Sequence, residues 1–431
     1  MVHSRSVRAR LDYGTDGLEV DLPDAGVTVI EPVFRPAAPD VHATLLAALR
    51  NPIDSAPLAS LVRPGQRVAI SVCDITRAQP RRECLRAIFE ELPELRRADV
   101  TILIATGTHR ANTDAELERM LGRDILESCR VINHDSRNQA SLDRVGRTAT
   151  GVDVFLNREW LAADVRITTG FVEPHFFAGF SGGPKMVAPG LAGLDTVLTL
   201  HDAARIGDPR ATWGITEGNP IHDDVRAVAA MAPPHFSIDV ALNRDQQITA
   251  AFAGNLVAEH RAACAHVKAT AMRAVPAPFD VVVTTNSGYP LDQNLYQAVK
   301  GMSAAAQIVK PGGVIICAAE CRDGLPSHGS YGEVLASQPN PAALLDMIRT
   351  PGRATRPDQW QVQVQAQVQL KATVQVKTSG LSHGEVRAAH FMPIDDVADA
   401  VRQSMARAGA AATLCVLPQG PQTIPYVEAR A

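Results

Sequence analysis

Three short apolar runs, at residues 67–73, 100–105 and 165–169, most narrow what this chain can fold into. Each reads as a short strand, and the first two are apolar enough to be buried on both faces. Helical patterns separate them. Residues 81–92 form one, and residues 113–122 form another that opens with Thr113 and Glu116 at capping-box spacing. Strand, helix and strand in this order imply a mainly parallel sheet covered on both faces. Ligands of such sheets bind beyond the carboxyl ends of the strands. Here those ends carry Asp74-Ile-Thr-Arg77, Thr106-Gly-Thr-His-Arg110 and Glu173-Pro-His175, so three strands bring an arginine and two histidines to one edge.

A length of 431 residues exceeds what one core usually holds, so two domains are expected. The alanine-rich stretch 250–274 reads as a helix, punctuated by Pro276 and Pro278. A second α/β unit then begins with a strand at 279–284, a helix at 292–300 and a turn into a strand at 310–317. The expected boundaries are 1–265 for an N-terminal α/β cofactor-binding domain and 275–400 for a C-terminal α/β domain. The tail, with a strand at 412–417, is free to return and complete the first domain through 409–431. Residues 359–370 alternate glutamine with apolar residues, which by period is a strand, although glutamine and leucine also suit a helix.

The composition is 46% hydrophobic and 20% charged, that of a globular protein in water, and the net charge of −4 gives no basic footprint for nucleic acid. No apolar run reaches the length of a membrane span, and the basic start lacks the apolar segment of a signal peptide. Seven scattered cysteines without a Cys-x-x-Cys pair fit a reducing compartment, the cytoplasm, and argue against a structural zinc site.

The run from Gly170 to Gly190 places His175, the Gly182-Gly183 step and Lys185 close together, with His201 beyond it. A Gly-Gly step lets the backbone take positive φ and approach a ligand. The lysine beside it can reach a phosphate or form a covalent bond, or it can be a solvated residue after a tight turn. Walker-loop spacing is absent.

Taken together, Asp74, Arg77, His109, His175, Lys185, His201, Tyr296, Gln297 and Lys300 resemble the set found in the nickel-pincer lactate racemase family. The resemblance runs from Asp12-Tyr-Gly14 through these motifs to Gln359-Trp360 and the closing residues 417–425. It implies two α/β domains with mainly parallel sheets and an active-site cleft between them. It also implies a covalent cofactor, pyridinium-3,5-bisthiocarboxylic acid mononucleotide (the nickel-pincer nucleotide). This cofactor is joined to Lys185 and contacted by Asp74, Gly182 and Gly183. His201 is implied as the protein's ligand to nickel, a reasonable partner for soft sulfur donors. Residues 359–370 are helical by the same resemblance.

The implied reaction racemises or epimerises a 2-hydroxy acid, lactate or a larger analogue, by reversible hydride transfer from C2. Two enantiomers present their hydroxyls on different sides of C2, so two bases are wanted, and His109 and His175 suit that demand. Arg77 suits the substrate carboxylate. Tyr296, Gln297, Lys300 and Trp360 are further substrate contacts, with Gln297 and Lys300 on one helical face. Accessory enzymes that build the cofactor are the implied partners. Pro184, where a basic residue is expected, and the bulky Phe176 and Phe177 depart from the lactate-specific pattern.

The nearest rival keeps the site for sugar-acid C2 epimerisation or dehydration. A non-enzymatic nickel- or cofactor-binding protein needs Lys185 and His201 but neither paired bases nor Arg77. A zinc hydrolase using His109, His175 and His201 leaves Lys185 without a purpose. His134, His222 and His328 are read as structural or surface residues, and Glu173 and Asp202 as supporting ones.

Overall fold

The computed structural model describes residues 6–23, 26–326 and 329–428; His328 lies outside them. The chain divides into two compact units. The central unit is Phe34–His201 with Asp208–Ala269. The terminal unit is the chain up to Val33, Asp202–Gly207 and the chain from Thr270 onward. These are not the expected boundaries 1–265 and 275–400, because both ends of the chain join one sheet.

In the central unit six strands form a sheet in the order Ile248–Gly254, Phe236–Leu242, Val165–Phe171, Val68–Cys73, Val100–Ala105, Arg130–Asn133. All neighbours are parallel except the first pair. Val68–Cys73 is buried along its whole length, as its unbroken apolar run requires. The helix Arg81–Glu91 places Cys84, Leu85 and Ile88 in the core against it. Helix Asp114–Leu121 starts at Thr113 with both halves of the capping box formed.

The helix expected over 250–274 is shorter, Leu256–Ala271, and a strand stands on each side of it. Alanine's helix preference loses at 250–254 because those residues pair across Ser237–Ala241, and Gly254 lies against the Ile53 backbone where a Cβ would not fit. Asn255 then caps the helix, its side chain accepting from Val257 N–H (3.1 Å).

The terminal unit has its own six-stranded sheet, parallel throughout, in the order Met392–Pro393, Thr373–Lys377, Val309–Ala318, Phe279–Thr285, Leu414–Leu417, Val27–Val29. The last strand, Leu414–Leu417, is fully buried and sits inside this sheet. It therefore does not return to complete the first domain. Helix Leu295–Ala306 begins later than expected because Asn294 caps it, accepting from Gln297 N–H (3.1 Å).

Residues Gln359–Lys371 are helical. Their alternation misleads because the helix is buried on nearly all sides, so no polar face is needed. Its glutamines are held by backbone carbonyls instead: Gln363 donates to Ala203 (2.8 Å) and Gln365 to Ala389 (2.9 Å). Among the described residues no helix is long and apolar enough to cross a membrane.

Candidate active site

In the central sheet the chain runs outward from Val68–Cys73 through Val100–Ala105 to Arg130–Asn133. It then returns to the other side of Val68–Cys73 with Val165–Phe171. That reversal is a topological switch point, where the loops after neighbouring strands part and leave a crevice. The loops beginning at Asp74, Thr106 and Val172 all leave from it.

Asp74 is buried and His109 is half exposed; Nδ1 of His109 lies 2.6 Å from Asp74 Oδ2. The other Asp74 oxygen accepts from the Thr76 hydroxyl (2.6 Å) and N–H (3.0 Å). With Nδ1–H donated to the carboxylate, the neutral ring carries its lone pair on Nε2, which is the arrangement of a general base. Burial works against the Asp74 carboxylate, but the His109 bond and the nearby Arg77 charge outweigh it, so its pKa falls below the ordinary value. Asp74 thus orients His109.

Arg77 is exposed at the turn of the same loop. The loop backbone is clamped by Arg81, a residue that sequence reasoning passed over as part of a helix. Its buried guanidinium donates to the carbonyls of Cys73 (2.7 Å), Gln79 (2.9 Å) and Arg77 (2.8 Å), and to that of Asp74. Only a doubled arginine at a helix start, Arg81-Arg82, marked it in the sequence.

The Gly170–Gly190 run folds back on the strand ends. Gly182 and Gly183 take φ of +74° and +50°, the region that favours glycine, and lead into the short turn Gly183–Met186 with Pro184 in its first positions. Lys185 O accepts from Gly190 N–H (3.1 Å), and Gly190 O accepts from Gly107 N–H (3.0 Å), which ties the lysine loop to the His109 loop. Phe177 gathers the remaining groups. Its ring centre lies 4.5 Å from that of His175, 5.3 Å from that of His201, and 5.6 Å from Lys185 Nζ. Phe176 and Phe177 are buried, and Phe176 packs beside Trp213 (6.1 Å). Both phenylalanines therefore build a dry wall behind the histidines.

His201 ends the helix Leu194–Leu200, and its Nδ1 lies 2.8 Å from Val197 O. That bond fixes the proton on Nδ1 and makes Nε2 the nitrogen with which a metal could be bound. Burial first, then the Lys185 charge, lowers its pKa to about 4 against the opposing pull of the Val197 bond, so the ring is neutral at pH 7. Among the described residues no three His, Cys, Asp or Glu side chains are grouped to hold a metal, so His109, His175 and His201 do not make a zinc site. A single neutral imidazole and a nearby lysine do fit a metal carried by a lysine-bound cofactor.

The other candidates belong to the terminal unit. Tyr296, Gln297 and Lys300 are half-buried in the first two turns of Leu295–Ala306, and the Tyr296 ring meets Tyr331 edge-on (5.3 Å). Trp360 is buried at the start of Gln359–Lys371. Of the histidines set aside, His134 is structural, bonded to Ala192 O (2.9 Å) and the Asn157 side chain (3.1 Å). His222 is also buried, its Nδ1 3.1 Å from Ala178 O. Asp202 caps the segment Ala203–Ile206.

Known proteins resemble this chain over nearly its whole length. Residues 13–214 match the lactate racemase N-terminal domain family, and residues 274–424 match the lactate racemase C-terminal domain family. The chain is 35% identical over 423 residues to a lactate racemase of Thermoanaerobacterium thermosaccharolyticum, covering 96% of this chain and 98% of the relative. It is 37% identical over 383 residues to a lactate racemase of Lactiplantibacillus plantarum, covering 88% and 89%. The structure of the lactate racemase apoprotein from T. thermosaccharolyticum superposes with a TM-score of 0.90 at 34% identity, over 98% of this chain and all of that one. A Thermotoga maritima protein shares the fold, with a TM-score of 0.64 at 19% identity. With both halves matched in order and full-length relatives above 30% identity, the chain belongs to the lactate racemase family and is an isomerase, a racemase.

Proposed function

We propose that this racemase acts on a 2-hydroxy acid, lactate or a larger analogue, with the nickel-pincer nucleotide attached to Lys185 and its nickel held by His201. The observation that carries the reading is the convergence of His175, His201 and Lys185 on the Phe177 ring. When bound, this cofactor would supply a reversible hydride acceptor for C2 of the substrate. The protein's own groups do the rest. Arg77 receives the carboxylate as a planar fork. Nε2 of His109 takes the hydroxyl proton of one enantiomer, and the imidazolium so formed is stabilised by Asp74 at 2.6 Å. His175 serves the other enantiomer. Gly182 and Gly183 form the turn that presents Lys185 to the cofactor, and the Phe176–Phe177 wall keeps water from the keto intermediate.

Lactate as the smallest substrate is supported by the names of the two relatives. Gln297, Lys300, Tyr296 and Trp360 are proposed as substrate contacts on the strength of the family resemblance. Seven buried free cysteines support the cytoplasm as the compartment, where the enzymes that build the cofactor would load it.

The test is co-expression with those enzymes, followed by intact mass, metal analysis and a screen of chiral 2-hydroxy acids. The expected result is a mass addition on the peptide holding Lys185, about one nickel per chain lost in His201→Ala, and racemisation of at least one acid. An adduct on a different lysine, or nickel undiminished in His201→Ala, would overturn the assignment.

A further inference from the structure

Behind the lysine loop lies a carboxylate that the reaction does not use. Asp239 stands in the middle of strand Phe236–Leu242, where its neighbours are apolar and it is itself buried. In the parallel register it lies opposite Gly170. A Cβ at Gly170 would come within 2.4 Å of Asp239 Oδ1, and one at Gly182 within 2.8 Å of Oδ2. The two glycines at either side of the loop therefore leave the space that this carboxylate fills. Its Oδ2 accepts from Gly183 N–H at 2.7 Å.

From the other side, His260 approaches. Its Nε2 lies 2.8 Å from Ser181 O, and its ring occupies the place a Gly183 side chain would take. Ser181 Oγ in turn bonds Phe171 O and Glu173 N–H (both 2.9 Å). The turn is thus held at Ser181 and Gly183, two residues before Lys185.

Burying a carboxylate in a strand is costly unless it satisfies something equally buried. Here the donor is the Gly183 N–H, which has no helical partner. Glu259, buried next to Asp239, accepts from Ser237 Oγ (2.6 Å), and burial followed by the Asp239 charge raises its pKa well above the ordinary value. Burial also raises the pKa of Asp239, to about 7, and the Gly183 N–H bond is what pulls toward its charged form.

We propose that Asp239 is a positioning residue for Lys185, fixing the Gly182–Gly183 turn so that the lysine amine is presented for cofactor attachment. The inference rests on the reading that Lys185 carries the cofactor. Asp239→Asn keeps an oxygen able to accept from Gly183 N–H, whereas Asp239→Leu removes the acceptor while keeping the same branched outline of heavy atoms.

Two measurements test it. In apoprotein, hydrogen exchange at the Gly182, Gly183 and Lys185 amides should quicken at least tenfold in Asp239→Leu and stay near wild type in Asp239→Asn. Exchange in Val100–Ala105 serves as the control for folding. After co-expression with the cofactor-building enzymes, the fraction of chains modified at Lys185 should fall at least tenfold in Asp239→Leu and recover in Asp239→Asn.

Unchanged exchange or full modification in the leucine variant overturns the proposal, as does loss of modification in the asparagine variant. If the leucine variant does not fold, Gly170→Ala decides. Its methyl group must displace the Asp239 carboxylate, and the same two losses are expected; their absence counts against Asp239. If wild-type chains carry no adduct at all, the reading of Lys185 fails, while the exchange result still judges Asp239.

Discussion

The two units contain the same device used in opposite ways. Each has a six-stranded sheet with a topological switch, between Val68–Cys73 and Val165–Phe171 in the central unit and between Phe279–Thr285 and Leu414–Leu417 in the terminal one. At the central switch the loops present His109, Arg77, His175 and Lys185. At the terminal switch the loops bond to each other. Thr285 Oγ donates to Pro418 O (3.2 Å), Ser287 Oγ donates to Gln419 O, and Gly420 lies against the Thr285 carbonyl where a Cβ would not fit. Asp292, buried there, uses one oxygen for the N–H groups of Gly14 (2.8 Å) and Glu320 (2.9 Å). The terminal unit's candidates sit on helices instead. Parallel sheets thus offer a crevice wherever strand order reverses, and the loop residues decide whether it holds chemistry or closes on itself.

The contrast is broken most simply at the lysines. Lys185→Ala should abolish both the covalent adduct and racemisation, while Lys310→Ala, which removes only an ion pair with Asp280 in the terminal unit, should leave the adduct intact by intact mass. Equal loss in both would mean that the division of labour is wrong.

Next come the bases. His109→Asn and His175→Asn should each lower net racemisation by about 10²–10⁴-fold, the usual worth of a general acid–base group, with the adduct and nickel retained. Each should still oxidise one enantiomer, read in single-turnover absorbance. Two variants that process both enantiomers alike would rule out paired bases.

Arg77→Lys sharpens the comparison at smaller scale. Loss of a charge-assisted fork is worth about 1.5–3 kcal/mol, so kcat/KM should fall roughly 10–150-fold in both directions. Gln297→Ala, on a helix of the terminal unit, should act by about tenfold or less and mainly through KM, as for a neutral hydrogen bond. A larger effect at Gln297 than at Arg77 would invert the ranking of the units.

The smallest effect is a pH slope confined to the central unit. Burial lowers the pKa of His222 to about 3 and of His260 to about 4. Between these values and 6.5 the unfolded chain binds protons that the folded chain does not, so these two histidines make stability fall as pH falls. Glu259 has the opposite sign. Its raised pKa leaves it protonated in the folded chain above pH 4.5, where the unfolded residue is ionised, so it makes stability fall as pH rises. Glu259→Gln removes that opposing contribution. Stability should then rise more steeply with pH above 4.5 than in the wild type, in denaturant titrations of apoprotein. An unchanged slope would mean that Glu259 is already ionised in that range.

Much of this was open to inspection in the sequence, and the reason is local. Unbroken apolar runs must be buried on both faces, a threonine three residues before a glutamate caps a helix, and two adjacent glycines permit a turn that other residues resist. Those features determined the parallel sheet, the strand ends that bear Asp74, His109 and His175, and the turn before Lys185. Pairing over distance was not determined there. Residues 250–254 look helical until strand Phe236–Leu242 lies beside them. The glutamine alternation of Gln359–Lys371 looks like a strand until burial on nearly all sides removes the need for faces. Leu414–Leu417 reads as a strand without a destination, and only its neighbours fix the sheet it joins. The same holds for the bond between Asp74 and His109, 35 residues apart, for the clamp of Arg81, and for Asp239 beneath the lysine loop. A sequence specifies which groups can donate, accept or pack; which of them meet depends on contacts between distant segments, and those exist only in the folded chain.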